Sequence, residues 1–208
     1  MEKVIKKAAR YASKDQSRGA ICGVFLEYRA TDNTLTVTAT DGHILYSRVI
    51  RDYKEVPGVG EDWSMVVNAK GEEIGTHYPD WRRGIPDTPA ETTIQGGLDG
   101  IHMVAKAVGF AGSVTRLIRF KFMDDGGLKI HANSKATGVV AHGGVSGVLP
   151  EGHRLTGHEI GFDHKLLMRV LLDAPEDATW GFNTVVSATV IRGDDETFVL
   201  MPQRIHDV

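Results

Sequence analysis

A chain of 208 residues, 41% of them hydrophobic and 25% charged, is long enough to bury one large core or two smaller ones, and this composition excludes wholesale disorder. The formal net charge of −3 gives no indication of nucleic-acid binding, so the positions of the basic residues have to decide that question. The single cysteine, Cys22, excludes an internal disulfide and any cysteine-rich metal site.

The sequence has no apolar run as long as a membrane span, and residues 1–12 lack the apolar core of a signal peptide. We therefore expect a cytoplasmic protein without membrane contact. Glycine is frequent, at 24 residues, whereas proline occurs only 7 times. This combination favours many short strands joined by tight turns.

The first predicted element is an amphipathic helix over residues 2–14. Its apolar positions recur at helical spacing and are Val4, Ile5, Ala8, Tyr11 and Ala12. A second face is basic, with Lys3, Lys7, Arg10 and Lys14 in one stripe and Lys6 beside it. A basic stripe of this kind is most often a solvated surface, but it can also bind phosphates.

From residue 20 the apolar period changes from 3.6 to 2, which predicts strands. ICGVFLEYRA, TLTVTA and HILYSRVI are the three strands, and Asp41-Gly42 between the last two is a strong hairpin signal of type I′. The first fifty residues thus predict one helix followed by three strands.

The same order of elements recurs twice. A predicted helix at 99–111 precedes the strands RLIRFKFM and LKIHAN and further strands over about 136–148. A third helix, DHKLLMRVLLDA, ends before Pro175 and precedes ATWGFNT, VSATVIRG and TFVLMP. Such repetition predicts a modular, pseudo-symmetric architecture. By spacing, a further copy of the helix-plus-strands unit should fall at 58–95. Only VVNAKGEEIG could supply a helical turn or two there, so the segment 58–77 looks like a shortened copy. The loop before Gly96 predicts two domains, 1–95 and 96–208.

Four segments resemble one known family. ATDGHIL (39–45) resembles the family's ATDGHRL, YPDWRRGIP (78–86) its FPDYRRVLP, and FVLMPQR (198–204) its YVVMPMR. EIGFDHKLLMRVLLDA (159–174) resembles the start of the family's final half-domain. In this order and at this spacing, the segments resemble the bacterial DNA polymerase III beta sliding clamps from their middle domain onward, without the family's first domain.

The resemblance implies an α+β DNA-clamp fold in which helices line a central hole and antiparallel sheets lie outside. Basic residues on those helices would then hold the phosphates of double-stranded DNA without reading the bases. The candidates for DNA binding are Lys3, Lys6, Lys7, Arg10, Lys14, Arg18, Lys106, Lys165 and Arg169.

The resemblance also implies a hydrophobic cleft between the domains that receives short peptides from the DNA polymerase and the clamp loader. Carried over by position, its candidates are Ile21, Thr40, Gly42, His43, Leu45, Pro79, Arg83, Val199, Met201, Pro202 and Arg204. Without the resemblance, Met201-Pro202 would only end an edge strand. Methionine suits a surface that accepts several partners.

The sequence predicts neither an enzyme nor a cofactor or metal site. Asp41 and His43 could act as an acid–base pair, but a hairpin turn is the better interpretation. The nine histidines form no spaced ligand set, and no phosphate-binding loop of the GxxxxGK[ST] type occurs. In the resembling family a separate loader opens the ring, so the clamp needs no hydrolytic site.

Three positions depart from the family pattern, namely Ile44, Gly84 and Gln203, and residues 205–208 extend past the family's usual end. These departures favour a phage or another mobile replicon as the source. The family's dimer closes its ring from six domains, so a two-domain chain would form a homotrimer. The alternatives are a clamp-derived adaptor or decoy that binds peptides without encircling DNA, and an unrelated small hydrolase built on Asp41 and His43.

Overall fold

A computed structural model describes residues 1–54, 61–87, 89–94, 100–106, 108, 116–133, 140–146, 148–149 and 153–205. The chain divides into two compact units. The first unit is Met1–Ile85 with Asp194–Phe198, and the second is Pro86–Gly193 with Val199–Val208. The domains predicted from the sequence, 1–95 and 96–208, correspond to domains of the resembling family. That correspondence stays a prediction.

The first unit is a helix packed on an antiparallel sheet. Helix α1 is Glu2–Ala9, and the strands are β1 (Val24–Arg29), β2 (Thr34–Thr40), β3 (Ile44–Ile50) and β4 (Trp63–Val67). They pair in the order β4-β1-β2-β3. The segment Asp194–Phe198 lies beside β3, where Val49 N–H donates to the carbonyl of Asp195 at 2.8 Å.

Helix α1 is shorter than predicted because it ends at Ala9, not at residue 14. Tyr11 and Ala12 are buried as the periodicity requires, but the chain has already left the helix there. The reason is a backbone hydrogen bond from Ser13 N–H to Ile21 O at 2.9 Å, which turns the chain into a 3₁₀ helix over Gln16–Ile21. The strand predicted from residue 20 therefore begins later, at Val24.

The hairpin between β2 and β3 forms as predicted, but not as a type I′ turn. Thr40 pairs with Leu45, so the central residues are Gly42 and His43, and of these only Gly42 has a positive φ, at 91°. A type I′ turn needs a positive φ at both positions. The Asp41 side chain holds the turn instead, because its Oδ1 accepts hydrogen bonds from His43 N–H and Ile44 N–H at 2.9 and 3.0 Å.

The shortened stretch carries no helix among its described residues, 61–77. Strand β4 is followed by a turn in which Gly71 N–H donates to Asn68 O, and Ile74 N–H returns to Val66 O at 2.9 Å. The segment VVNAKGEEIG is thus a strand end and a turn, and it supplies no helical lining.

The second unit contains the remaining elements. They are β5 (Thr92–Ile94), α2 (100–106), β6 (Leu117–Phe122), β7 (Leu128–Asn133), β8 (Val140–Val145), β9 (Glu159–Asp163), α3 (His164–Asp173), β10 (Thr179–Phe182) and β11 (Thr189–Arg192). Strands β8-β7-β6-β9 form one antiparallel sheet, and β11-β10-β5 pair in that order. Strand β12 (Glu196–Leu200) begins in the first unit and ends in the second.

The core of the second unit is aromatic. Phe120 packs edge-on against Phe162, and Phe122 packs edge-on against Phe182, with ring centroids 5.2 Å apart in both pairs. Asp163 caps α3 by accepting from Lys165 N–H and Leu166 N–H, and Leu167, Val170 and Leu171 turn inward. Of the helix predicted at 99–111, residues 100–106 and 108 are helical, while 99, 107 and 109–111 lie outside the described residues.

The mixture of helices with antiparallel sheets confirms the predicted α+β class. Among the described residues no helix is long and apolar enough to cross a membrane.

Candidate functional site

The exposed face of α1 is basic. Lys3 and Lys6 are exposed along the helix, and Arg10 is exposed at its C-terminal cap. Ile5 and Ala8 point the opposite way, into the core of the unit. The helix therefore presents cations to solvent because its apolar stripe is fixed against the sheet.

Lys7 belongs to the same sequence stripe but has a different environment. Its Nζ lies 2.7 and 2.8 Å from the two carboxylate oxygens of Glu196, which is buried. It also lies over the rings of Tyr46 and Phe198, 5.2 and 5.5 Å from their centroids. Glu196 thus balances the charge of Lys7 inside the unit, which weakens any attraction between Lys7 and a DNA phosphate.

The other predicted DNA-binding residues are spread over both units. In the first, Lys14 is exposed, and Arg18 Nη1 donates to the carbonyl of Asp41 at 2.6 Å. In the second, Lys106 on α2 and Lys165 on α3 are exposed, and Arg169 is half-buried. The lining of one hole by α1, α2 and α3 stays a prediction.

An aromatic cluster lies beside β1 and β2 in the first unit. Ile21, Val66 and Tyr78 are buried together, and Phe25 and Trp81 pack against them. The ring of Tyr78 stacks on Phe25 at 5.1 Å, and its hydroxyl oxygen accepts from Thr40 N–H at 3.0 Å. Burial raises the pKa of Tyr78 well above its ordinary value, so the phenol stays neutral.

The predicted cleft residues of the first unit differ in their burial and in their contact with this cluster. Ile21 is part of it, and Thr40 is joined to it through Tyr78. Pro79 and Arg83 follow Tyr78 and are exposed, as are Gly42 and His43 at the hairpin. Leu45, by contrast, is buried in β3 with 5% of its surface exposed, so its side chain belongs to the core.

Trp81 and Arg82 extend this surface, and the motifs alone did not single out either. The guanidinium of Arg82 lies 4.5 Å from the centroid of the Trp81 ring and pairs with Glu27. The signal that could have found them is the alternation of aromatic and basic residues in YPDWRR.

The second unit carries a cavity of about 460 Å³ beside the chain segment that follows β12. Its wall includes the predicted residues Pro202 and Arg204. The other lining residues are Glu159, Gly161, Val185, Val186, Gln203 and Ile205. Gln203 N–H donates to Gly161 O at 2.8 Å, which fixes the segment along β9.

The remaining predicted cleft residues of this unit differ in exposure. Met201 is 41% exposed, whereas Val199 is 3% exposed and belongs to the core. Val185 and Val186 were missed because they lie in a turn that carries no motif. A pair of valines between polar residues, NTVVS, is the signal that could have found them. The joining of surfaces from both units into one cleft stays a prediction.

Asp41 and His43 form no acid–base pair through their side chains, and no metal site is formed by the described residues. The Asp41 carboxylate is engaged by the backbone of its own turn, including the N–H of His43. No three His, Cys, Asp or Glu side chains in the described part of the chain are grouped so that they could hold a metal ion.

Among known proteins, similarity to this chain is found only at the level of solved structures. No protein-family model and no curated protein matches the chain. The beta subunit of DNA polymerase III from Thermotoga maritima matches with a TM-score of 0.82 and 18% identity, covering 99% of this chain and 63% of that one. The sliding clamp from Bacillus subtilis matches with a TM-score of 0.83 and 15% identity, covering 99% and 62%.

The chain has the fold of the bacterial beta sliding clamps. A clamp from Helicobacter pylori with a bound DNA ligase peptide is also similar, with a TM-score of 0.80, 14% identity and coverage of 98% and 63%. The chain thus spans less than two thirds of the length of these clamps. The predicted resemblance is confirmed for the fold, while a phage origin stays a prediction.

Within the clamp fold, the four segments that carried the resemblance have definite positions. ATDGHIL forms the β2–β3 hairpin, and YPDWRRGIP contains Tyr78 and a 3₁₀ helix, Trp81–Gly84. EIGFD is β9, which leads into α3, and FVLMPQR is the end of β12 with the segment along β9. The motifs therefore lie at the two surfaces described above.

Proposed function

We propose that this protein is a DNA sliding clamp, a ring that encircles duplex DNA and tethers a DNA polymerase to it. The observation that carries the proposal is the clamp fold itself, which extends over 99% of the chain at a TM-score of 0.82. No catalytic step is required of such a protein, because it acts by holding two partners together.

The DNA-binding part of the proposal rests on the exposed cations of the helices. Lys3, Lys6 and Arg10 on or next to α1 would contact phosphates, together with Lys106 and Lys165 on the other helices. Contacts of this kind are electrostatic and independent of base sequence, so the ring could move along the duplex.

The tethering part rests on the two apolar surfaces. We propose that short peptides from the polymerase and the clamp loader bury apolar side chains in the cavity lined by Val185, Val186 and Pro202, and beside the cluster of Tyr78 and Trp81. The Helicobacter pylori clamp, of similar fold, has been crystallised with a DNA ligase peptide.

The ring is proposed to be a head-to-tail homotrimer, since three copies of a two-unit chain supply six units. Two strands favour such contacts. Among the described residues β8 pairs only with β7, and the second edge of β4 is met only at its end, where Ile74 N–H donates to Val66 O. Pairing of free edges between copies would satisfy their backbone groups and cover edges that otherwise risk aggregation.

Two measurements on the purified protein test this function together. Light scattering should give a mass of three times 22.7 kDa at micromolar concentration. The protein, loaded on a nicked circular plasmid, should remain bound in high salt and should dissociate when a restriction enzyme linearises the plasmid. Dissociation that is equally fast before and after the cut would contradict encirclement.

The second candidate is a clamp-derived adaptor that binds peptides without encircling DNA. It is favoured by one observation, the absence of a helix from the described residues 61–77 of the first unit. A stable monomer that binds peptides and is not retained on circular DNA would support the adaptor and contradict the clamp.

A further inference from the structure

The outer face of the sheet β8-β7-β6-β9 carries a cluster of cations. Because residues paired across strands share a face, Arg119 lies beside His131, and Lys121 lies beside Lys129. The opposite face holds Phe120, Phe122 and Ile130, which are buried in the core. The charged face is therefore fixed outward by the packing of its own strands.

The carboxylate of Glu159 on β9 faces this cluster. Glu159 pairs in register with Lys121, and its oxygens lie 3.7 Å from Arg119 Nη1, 4.0 Å from Lys121 Nζ and 3.6 Å from His131 Nε2. These distances are longer than hydrogen bonds, and burial lowers the pKa of His131, so the lasting cations that face Glu159 are Arg119 and Lys121.

Lys121 and Lys129 are directly opposite each other, which is an unfavourable arrangement for like charges on neighbouring strands. Lys121 has 41% of its side chain exposed, and Lys129 is exposed with no ion-pair partner among the described residues. The nearby turn carries two carboxylates, since Asp125 lines one surface pocket with Lys129, and Asp124 and Asp125 line another with Lys121.

The cationic face continues from the cavity of the second unit. Glu159 and Gly161 of β9 line that cavity, and β6 and β7 follow β9 in the sheet. With about 4.8 Å between neighbouring strands, Lys121 lies one strand and Lys129 two strands beyond the cavity wall. An extended peptide advances about 3.3 Å per residue, so it would reach both lysines within about two to four residues.

We propose that the peptides bound by this cavity carry acidic residues two to four positions beyond their apolar anchors, and that Lys121 and Lys129 bind those residues. This inference rests on the proposed function of the cavity, and it adds the chemistry of the partner. The occupant is a peptide and not a nucleic acid because the cations adjoin an apolar cavity, and because Glu159 at the cavity wall would repel a continuous phosphate backbone.

The test uses the 208-residue protein and labelled peptides that contain the DNA ligase peptide bound by the Helicobacter pylori clamp. Each peptide carries four added residues at one end, which are all acidic, all serine or all lysine, and both ends are tested in separate peptides. Fluorescence anisotropy at low salt should show that one acidic flank tightens binding about three- to tenfold over serine, as expected for two exposed ion pairs. The same flank at the other end should have no such effect.

The decisive variant is Lys121→Glu with Lys129→Glu. It should bind the serine-flanked peptide as the unchanged protein does and should prefer the lysine flank to the acidic one. Lys54→Gln with Lys70→Gln removes two exposed charges elsewhere and should keep the acidic preference. Thermal melting of each variant establishes that it is folded.

The possible failures are distinguishable. If no peptide binds, the proposed cavity function is overturned together with this inference. If all flanks bind equally, the cavity stands and the inference is wrong. If the charge-reversed variant loses binding to a single-stranded oligonucleotide and keeps the acidic preference, the face binds nucleic acid, and the inference is again wrong.

Discussion

Lys7 and Glu196 form an ion pair inside the first unit, with Nζ at 2.7 and 2.8 Å from the two carboxylate oxygens. Glu196 is 6% exposed, and its Oε1 also accepts from the hydroxyl of Tyr46 at 2.7 Å. Burial and this contact raise the pKa of Tyr46 well above its ordinary value, so the phenol remains a donor. The pair joins α1 to the segment Asp194–Phe198, which comes from the far end of the sequence.

We expect Lys7→Ala to lower the free energy of unfolding by about 2 kcal/mol, because it leaves a buried carboxylate without its closest cation. Lys3→Ala removes an exposed lysine from the same helix and should change stability by less than about 0.5 kcal/mol. Urea unfolding at one fixed protein concentration measures both. In a Glu196→Gln background the destabilisation by Lys7→Ala should be smaller. Equal effects of the two alanine substitutions would contradict the structural role of Lys7.

The triple variant Lys3→Ala, Lys6→Ala and Arg10→Ala should weaken DNA binding equally on unrelated sequences. The slope of log affinity against log salt should fall by about 0.9 for each phosphate that the variant no longer neutralises. The matched control is Arg29→Ala, Lys54→Ala and Arg192→Ala, which removes the same charge from exposed positions outside α1. If the control lowers the slope as much as the α1 variant, α1 is not the DNA-binding surface.

Much of the fold could be predicted from the sequence, because local patterns determine it. The helical segment DHKLLMRVLLDA before Pro175 identified α3, and alternation identified strands such as β2. The end of α1 could not be predicted, since Tyr11 and Ala12 continue the apolar period while a hydrogen bond from Ser13 to Ile21 ends the helix. The ion pair of Lys7 with Glu196 could not be predicted either, because the two residues are 189 positions apart in the sequence.

The sequence motifs identified residues of the candidate site, but they did not predict which of the side chains are exposed. The resemblance identified Leu45 and Met201 alike, yet packing buries the first and leaves the second 41% exposed. The cations on the outer face could not be recognised either. Arg119 and Lys121 share a face of β6 by alternation, but Lys129 joins them only through the register of β6 with β7, and a single strand gives no information about its partner.

Met201→Ala should weaken binding of the DNA ligase peptide by about 1–2 kcal/mol without changing the melting temperature, because we expect the exposed side chain of Met201 to contact the peptide. Met103→Ala is the matched control, since Met103 on α2 is 69% exposed and remote from the predicted cleft residues in sequence. Leu45→Ala, in contrast, should lower stability by about 2–4 kcal/mol because it leaves a cavity in the core. Calorimetry and thermal melting separate the two effects. Equal weakening by Met201→Ala and Met103→Ala would remove Met201 from the site.

Gly161 is the position where the wall of the cavity depends on the absence of a side chain. A Cβ there would lie 2.9 Å from Gln203 O, 3.0 Å from Ile205 Cγ1 and 3.0 Å from Leu117 Cδ1. The carbonyl cannot move away without breaking the hydrogen bond from Gln203 N–H to Gly161 O. We therefore expect Gly161→Ala to displace the segment 202–205 from β9 and to deform the cavity.

The expected result for Gly161→Ala is a decrease in peptide affinity of about tenfold or more, with the sheet retained because β6 and β9 pair through their backbones. Gly144→Ala on β8 is the control, since its Cβ would meet only Leu128 O at 3.6 Å, an ordinary contact. Anisotropy titration with the DNA ligase peptide and a melting curve for each variant make the comparison. Unchanged affinity in a folded Gly161→Ala protein would mean that the segment 202–205 is not a wall of the peptide site.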